Sequence, residues 1–469
     1  MRIPEPSLTK NRAWLPDLLY TDRGFVSDRA IVCDADGSIV SVLPVDKIDC
    51  EIIRLPKKAI LPGMISAHSH AFQRVIRGRT EYRRSKRDSF WTWREVMYEA
   101  ANRISPEGLY TAARMTFLEM ALSGITTVGE FHYLHNQADG GRYDDPNLLA
   151  KQVISAALSV GIRIALLRVA YVRAGFQTEP NPRQARFIEN DVMRFLGDTD
   201  ELQSELKGES MAWVGLAPHS VRAVPLGDLR QIADYARGRD LPLHMHVAEQ
   251  PAELDACLQE YGLTPVSLLA DTGILNERFT AVHAVHISPQ EVEQLSIAGA
   301  MVCACPTTER NLGDGIVPVD RLLSAGIPVS LGTDSNVQID ILEDARELEY
   351  HLRLSSLERG VLDPGGNQKD GLARRLFECA TISGARSLGF RGGSLEPGNP
   401  ADFVSVDLMD PAIAGTSAET LLPAIVFSSG RSAVRDVVIN GEYVVENGIH
   451  HLQERIVEDF DKLQRTLWI

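Results

Sequence analysis

The sequence predicts an α/β fold in which a (β/α)8 TIM barrel carries a small β-sandwich built from the N- and C-terminal segments. Three observations lead to this prediction. Apolar runs alternate with helical stretches through the middle of the chain, polar side chains follow the ends of those runs, and both termini contain short extended segments. We expect the sandwich to comprise residues 1–57 and 391–469, and the barrel to comprise residues 58–390.

The two ends of the chain share a β-rich pattern in which short extended runs are joined by turn signals. Residues 34–37 read Asp-Ala-Asp-Gly between two such runs near the N-terminus, and Asn440-Gly441 joins two runs near the C-terminus. Both sequences are typical of tight hairpin turns. Neither end is large enough to bury a core by itself, so we expect the two ends to pair into one small domain.

The barrel prediction depends on eight apolar segments that alternate with helical stretches. One helical stretch begins with Ser288, Pro289 and Glu291, a capping box with proline at the first helical position. Several stretches run directly into a glycine, which commonly ends a helix. These helices are predicted at 107–123, 146–160, 289–298 and 319–325. The strands are predicted at 59–67, 125–131, 163–169, 211–217, 241–247, 279–284, 300–305 and 327–333.

Residues 74–104 form a long insertion after the first predicted barrel strand. The insertion is rich in arginine at first and then contains Phe90, Trp91 and Trp93. Long loops on the C-terminal face of a barrel usually serve as lids or binding loops. We therefore expect a lid or a binding loop here, although packing of the lid itself would also account for the tryptophans.

Composition restricts the classes of protein to which the chain can belong. Its 469 residues are 44% hydrophobic and 24% charged, which is ordinary for a globular protein. The net charge of −15 argues against nucleic acids or anionic membranes as partners. Six scattered cysteines without a CxxC pair indicate a reducing compartment, and no apolar stretch reaches the ~18 residues of a membrane span. Because no leader pattern opens the chain, we expect a soluble cytoplasmic protein.

Residues capable of chemistry concentrate after the predicted strands, where barrels of this type place their active sites. His68 and His70 are two residues apart, so on an extended backbone both rings project from one face and can chelate one divalent metal ion. Such a pair by itself is equally well explained by packing. Eight of the 12 histidines follow these strands: His68, His70, His132, His219, His244, His246, His283 and His286. Other polar residues in the same places are Glu130, Tyr133, Arg222, Glu249 and Asp334.

Four motifs around these residues resemble the amidohydrolase superfamily, in its branch of cytosine, guanine and adenosine deaminases. They lie at residues 61–70, 243–249, 282–284 and 332–335. The resemblance implies that three imidazoles and one carboxylate hold a single divalent metal ion. Zn²⁺ is the expected ion, and iron or manganese would also suit these ligands. The implied ligands are His68, His70, His246 and Asp334.

The same resemblance implies catalytic roles for Glu249, His283 and Asp334. The metal would lower the pKa of a bound water toward ~7 and so give hydroxide at neutral pH. Glu249 would take the proton of that water and carry it to the departing nitrogen. His283 and Asp334 would hold the hydroxide and the tetrahedral intermediate. A structural or supporting role is expected for His244, and no role is assigned to Glu130 or His132.

A second set of motifs resembles the formimidoylglutamate deiminases within that superfamily. They lie at residues 68–74, 89–95, 130–133, 219–224 and 311–315. The resemblance implies hydrolysis of N-formimidoyl-L-glutamate to N-formyl-L-glutamate and ammonia, a step of histidine degradation. Arg94 and Arg222 would bind the two glutamate carboxylates, because a guanidinium makes paired charge-assisted hydrogen bonds to a carboxylate. Gln73, Tyr133 and His219 would make the remaining polar contacts.

Alternative functions stay open at this point. The chain could instead deaminate a purine, pyrimidine or triazine ring, or it could be a catalytically silent interaction protein that kept the barrel. The histidine cluster could likewise hold a structural metal. The arginines distinguish the two enzymatic alternatives, because a neutral ring has no carboxylates for two guanidinium groups to bind. Arg94 and Arg222 could also belong to surface ion pairs. We expect a small-molecule substrate bearing carboxylates, and by analogy with the superfamily a homodimer.

Overall fold

The structure is a computed structural model that describes residues 11–82, 90–366 and 368–468. Its strands form two sheets of eight strands each, one from the middle of the chain and one from its ends. The strands are β1 (Arg12–Thr21), β2 (Gly24–Val26), β3 (Arg29–Cys33), β4 (Ile39–Pro44), β5 (Glu51–Pro62), β6 (Met64–Ser69), β7 (Ile125–His132), β8 (Arg163–Ala170), β9 (Ala212–Pro218), β10 (Leu243–Val247), β11 (Phe279–His283), β12 (Met301–Ala304), β13 (Val329–Leu331), β14 (Phe403–Asp407), β15 (Val434–Ile439) and β16 (Glu442–Val445).

Helices separate the strands of the middle sheet and flank the terminal sheet. They are α1 (Phe90–Arg103), α2 (Pro106–Leu122), α3 (Leu148–Val160), α4 (Val192–Glu205), α5 (Leu226–Gly238), α6 (Pro251–Tyr261), α7 (Pro265–Asp271), α8 (Pro289–Ala298), α9 (Pro306–Leu312), α10 (Val319–Ser324), α11 (Ile341–Ser356), α12 (Gly371–Cys379), α13 (Ile382–Ser387), α14 (Leu421–Ser428) and α15 (Gln453–Leu467). Within the described ranges, none of these helices is both long and apolar enough to cross a bilayer.

The middle sheet is the predicted barrel. Strands β6 to β13 are parallel and lie side by side in chain order. The sheet closes where Ser69, at the end of β6, bridges in parallel to Asp334 beyond β13. At this seam the Asp334 N–H donates to the His68 carbonyl (3.1 Å) and the His70 N–H donates to the Asp334 carbonyl (2.9 Å). The (β/α)8 prediction is therefore confirmed.

The terminal sheet combines both ends of the chain, as predicted. Its order is β16-β15-β14-β5-β1-β3-β4, with β2 paired to β1. The two ends meet where β5 runs antiparallel to β14 and parallel to β1. The domain limits stay a prediction, and β5 runs through the expected limit at residue 57.

The first predicted barrel strand divides in two in the structure. Residues 59–62 belong to β5 of the terminal sheet, whereas the barrel strand β6 begins at Met64. The division falls at Gly63, where an added Cβ would lie 2.4 Å from the Thr126 side chain. The chain therefore passes from one sheet into the other through a position that has no room for a side chain.

The predicted helix ends agree with the structure at several positions. Ser288 and Glu291 form the expected capping box at the start of α8. Gly161 and Gly299 follow α3 and α8 in the left-handed conformation, with φ of 92° and 67°. In the predicted insertion, α1 carries the aromatic segment, and residues 83–89 lie outside the described residues.

A buried ion pair connects the barrel to the terminal sheet. Arg163 at the start of β8 donates from Nε to Oδ2 of Asp402 (2.5 Å) and from Nη2 to Oδ1 (3.2 Å). Both side chains are less than a tenth exposed. Asp402 also accepts the backbone N–H of Asn440 (2.8 Å), so one carboxylate joins the barrel to the turn that precedes β16.

We expect Asp402→Ala to lower the free energy of unfolding by about 3–5 kcal/mol, because the Arg163 guanidinium would stay buried without its partner. Urea denaturation measures this change. Asp461→Ala is the matched control, since it removes a carboxylate from an exposed pair with Arg465 on α15 and should have little effect. Equal losses in the two variants would contradict the importance of the buried pair.

Candidate active site

Four side chains from distant parts of the chain converge at the closing seam of the barrel. The Nε2 atom of His68 lies 3.2 Å from Nε2 of His70 and 3.1 Å from Nε2 of His246. Oδ1 of Asp334 lies 3.4 Å from the His68 Nε2 and 3.3 Å from the His70 Nε2. In a tetrahedral site with bonds of about 2.0–2.1 Å, neighbouring ligand atoms are about 3.3 Å apart. The four donors therefore have the spacing of a single metal site.

The protonation states of the four groups also suit a cation. Burial lowers the pKa of His68 to about 3 and lowers those of His70 and His246, so all three rings are neutral. His70 donates from Nδ1 to the Phe131 carbonyl (3.0 Å), which leaves the lone pair on its Nε2. Burial by itself would raise the pKa of Asp334, but its histidine neighbours lower it below its ordinary value.

Three neutral imidazoles and one carboxylate suit a divalent ion of the zinc type. The ring nitrogens of His68 and His246 that face away from the cluster are buried and have no hydrogen-bond partner within the described ranges. Without a cation, the three Nε2 atoms that lie close together could form few hydrogen bonds with one another. The residues present therefore fit one divalent metal ion, which the amidohydrolase resemblance implies.

The backbone at three strand ends is held in an unusual conformation. Ala248 after β10, His283 at the end of β11 and Asp334 beyond β13 have φ of 53°, 72° and 44°. Such left-handed conformations cost roughly 1–2 kcal/mol for residues other than glycine. The surrounding barrel stabilises these conformations, and strain of this kind is typical of functional sites.

Glu249 and His283 lie beside the ligand cluster. Nε2 of His283 is 3.8 Å from Oε1 of Glu249 and 3.9 Å from Oδ2 of Asp334. Burial raises the pKa of the Glu249 carboxyl. Burial alone would lower the pKa of His283, but the carboxylates of Glu249, Asp334 and Glu309 raise it well above its ordinary value.

Glu309 on α9 is a neighbour of this site that the motifs did not identify. Its Oε1 lies 3.2 Å from Nδ1 of His283 and accepts the backbone N–H of Cys305 (2.9 Å). Glu309 is therefore placed to orient the His283 ring from behind. A signal was present in the sequence, because the charged segment 305–310 directly precedes the Asn311 motif.

The five predicted substrate-binding residues line one pocket that opens above the ligand cluster. The Gln73 amide donates to the Tyr133 hydroxyl (2.9 Å), and Nδ1 of His219 lies 3.1 Å from the Ser220 hydroxyl. Glu249 and His283 also line this pocket. The predicted residues that share the pocket are Gln73, Arg94, Tyr133, His219 and Arg222, together with His70, His246 and Asp334.

The two arginines reach the pocket from different elements. Arg94 belongs to α1 and stacks on Trp91, with its guanidinium carbon 4.4 Å from the ring centroid. Arg222 follows β9. Nε of Arg94 and Nη1 of Arg222 are buried without a hydrogen-bond partner among the described residues. Burial lowers the pKa of His219, and the charges of both arginines lower it further, which shows that they face a common space.

Several aromatic residues complete the pocket wall, and sequence reasoning did not assign them to the site. Tyr98 lies on α1, Tyr171 directly follows β8, and Phe187 lies in the loop beyond it. The position of Tyr171 at a strand end was the one available signal. Tyr98 and Phe187 lie in long connections, whose approach to the pocket depends on the folded chain.

The remaining residues singled out from the sequence lie near the barrel but serve other contacts. Nε2 of His244 lies 2.8 Å from the Ser387 carbonyl, on α13. Oε1 of Glu130 accepts the Ala71 N–H (2.7 Å), next to His70. The His132 ring packs against His135, and its buried Nε2 has no hydrogen-bond partner in the part of the chain that the structure describes. These contacts favour supporting roles for His244 and Glu130.

Comparison with known proteins agrees with this geometry. The profile of the amidohydrolase family matches residues 59–444. A formimidoylglutamate deiminase from Pseudomonas aeruginosa is 37% identical over 451 residues, which cover 96% of each chain. A 5-methylthioadenosine/S-adenosylhomocysteine deaminase from Pyrococcus abyssi is 26% identical over 91% of this chain and 92% of its own. The crystal structure of an amidohydrolase from Brucella melitensis superposes with a TM-score of 0.91 at 34% identity, covering 98% of this chain and 100% of that one. The chain therefore belongs to the amidohydrolase family.

Proposed function

We propose that this chain hydrolyses N-formimidoyl-L-glutamate to N-formyl-L-glutamate and ammonia, a step of histidine degradation. The observation that carries the proposal is the pair of pocket arginines, Arg94 and Arg222, each of which has one buried nitrogen without a hydrogen-bond partner among the described residues. A buried N–H without an acceptor is unfavourable, so each guanidinium favours a ligand that brings an acceptor to it. The substrate has two carboxylates, one for each arginine.

The pocket contains two cationic groups although the protein has a net charge of −15. Arg94 and Arg222 lie there together with the carboxylates of Glu249 and Asp334. Each guanidinium can make two parallel charge-assisted hydrogen bonds to a carboxylate, and the aromatic wall strengthens them by excluding water. A neutral base or triazine would leave both arginines unpaired.

The reaction requires attack of water on the formimidoyl carbon and loss of its terminal nitrogen. A divalent ion, for which we propose Zn²⁺, held by His68, His70, His246 and Asp334 would supply a water of lowered pKa as the nucleophile. Glu249 accepts a proton from the attacking water and delivers it to the terminal nitrogen, and the second proton of the same oxygen follows to that nitrogen, which leaves as ammonia. His283 is within reach of the same atoms and donates a hydrogen bond to the attacking oxygen. The C–N bond breaks as the C=O bond of the formyl group forms.

The similarity to the Pseudomonas aeruginosa deiminase supports this substrate. A second candidate is deamination of a purine ring, which the Pyrococcus abyssi relative and the aromatic pocket wall favour. The two candidate substrates differ in their contacts with the arginines, since only the dicarboxylate can pair with both. A substrate comparison separates them directly.

We expect the metal-loaded protein to release ammonia from N-formimidoyl-L-glutamate faster than from adenosine, guanine or cytosine. The measurement is kcat/KM for each compound in a coupled ammonia assay. Appreciable turnover of a ring compound alone would contradict the proposed substrate. Loss of activity on treatment with a chelator, and its recovery with Zn²⁺, would support the metal assignment.

Glu249→Gln should lower kcat by about 10²–10⁴-fold, because the amide cannot accept and return the proton. Metal content measured by mass spectrometry should stay unchanged, since the side chain is not among the four proposed ligands. Near-normal kcat in this variant would exclude Glu249 as the proton carrier.

Arg222→Met should raise KM for the dicarboxylate by about 10–100-fold, in proportion to the charge-assisted hydrogen bonds that it removes. Arg230→Met, at an exposed position on α5, is the matched control and should leave the kinetics unchanged. Unaltered KM in Arg222→Met would remove this residue from the binding site.

A further inference from the structure

Two tyrosine hydroxyls of the pocket share one buried amide. Nε2 of Gln184 donates to the hydroxyl oxygen of Tyr98 (2.8 Å) and to that of Tyr171 (2.7 Å). All three side chains are almost fully buried. Tyr98 comes from the inserted helix α1, Tyr171 follows β8, and Gln184 ends a short helical turn in the next loop. One amide therefore couples the insertion to the barrel.

The hydrogen-bonding capacity of these groups determines where the tyrosine protons point. The amide gives one N–H to each phenol, so each phenol oxygen acts as an acceptor toward Gln184. Each hydroxyl proton must then find another acceptor. Oε1 of Gln184 has no partner among the described residues, so neither tyrosine donates back to it.

Both tyrosines belong to the pocket that contains the arginines. Tyr98 and Tyr171 line the same pocket as Arg94 and Arg222. The Arg94 guanidinium carbon is 5.3 Å from the centre of the Tyr98 ring. Burial raises the pKa of Tyr98, and the charges of Arg94 and Arg222 oppose this rise only in part, so the phenol stays protonated at neutral pH. The cluster thus combines two cations with two available O–H donors.

We infer that Tyr98 and Tyr171 are specificity-determining residues that donate their hydroxyl protons to a carboxylate of the substrate, and that Gln184 positions them by occupying their oxygens. The inference rests on the proposed function for the identity of that carboxylate. Two O–H donors beside a guanidinium match the acceptor-rich edge of a carboxylate. A ligand that places apolar atoms beside these hydroxyls would leave both donors buried and unpaired, so the same pair selects against such ligands.

A similar arrangement across the pocket supports this reading. Gln73 donates to the Tyr133 hydroxyl, whose proton faces the sulfur of Met97 at 3.6 Å. Thioether sulfur is a weak acceptor, so the Tyr133 proton is also available to a ligand. A buried amide that donates to a phenol oxygen therefore occurs twice in this pocket, and at Tyr133 the hydroxyl proton is given to a thioether sulfur.

The test measures binding of N-formyl-L-glutamate to the metal-loaded enzyme by calorimetry, together with kcat and KM for N-formimidoyl-L-glutamate. Tyr98→Phe and Tyr171→Phe should each raise Kd about 10-fold, with a smaller effect on kcat. Tyr110→Phe on α2, outside the pocket, is the control and should bind as the wild type does. Thermal unfolding of each variant shows that the fold is retained.

Gln184→Glu is the discriminating variant, because it keeps the shape of the side chain and both tyrosines. Its carboxylate accepts the hydroxyl protons and so turns them away from the pocket. We expect Kd to rise by at least about 10-fold, as in the phenylalanine variants. A wild-type Kd in Gln184→Glu, or in either phenylalanine variant, overturns the inference.

The outcomes also separate this inference from the proposed function. If the wild type binds N-formyl-L-glutamate through the tyrosines but releases no ammonia from N-formimidoyl-L-glutamate, the inference stands and the proposed reaction fails. If turnover is normal and the variants retain wild-type KM and Kd, the inference fails alone. Failure of the wild type both to bind the dicarboxylate and to turn over the substrate overturns both.

Discussion

The active site depends on the backbone hydrogen bonds that close the barrel. The bonds between Asp334 and the His68–His70 segment join the first and last barrel strands, and they also place ligands from both strands within reach of His246. Burial of three imidazoles beside an ionised carboxylate is favourable only when hydrogen bonds or a cation compensate the lost hydration. Closure of the barrel and binding of a metal ion should therefore stabilise each other.

The pocket above this seam combines two arginines with the carboxylates of Glu249 and Asp334. Arg94 stacks on Trp91, and Arg222 interacts electrostatically with Glu249 and Glu253 without a direct ion pair among the described residues. Each arginine keeps one buried nitrogen without an acceptor among the described residues, and a ligand that carries acceptors would complete these hydrogen bonds. Specificity then follows from what remains unpaired when a wrong ligand binds, which is a larger effect than the loss of a simple apolar contact.

Groups behind the pocket hold the residues that face it. Glu309 orients His283, the Phe131 carbonyl orients His70, and Gln184 orients two tyrosines. The inserted helix α1 is fixed in the same way. Arg186 donates to the carbonyls of Ala101 (2.6 Å) and Ile104 (2.7 Å) at the end of that helix. The insertion, which carries Arg94 and Tyr98, is thus anchored by the loop that follows β8.

The sequence by itself determined the elements and the chemistry at their ends. Alternation of apolar strands with helices predicted the barrel, and turn signals predicted the terminal sheet. Motifs at strand ends identified the candidate metal ligands, since residues beyond parallel strands lie at the active-site rim. Tertiary structure determined the contacts between residues that are far apart in the sequence. The change from β5 to β6 at Gly63 depends on the side chain of Thr126, and the meeting of Tyr98, Tyr171 and Gln184 depends on how two loops fold over the rim. Local pattern fixes the face on which a side chain lies, whereas its partner depends on segments that only the folded chain brings together.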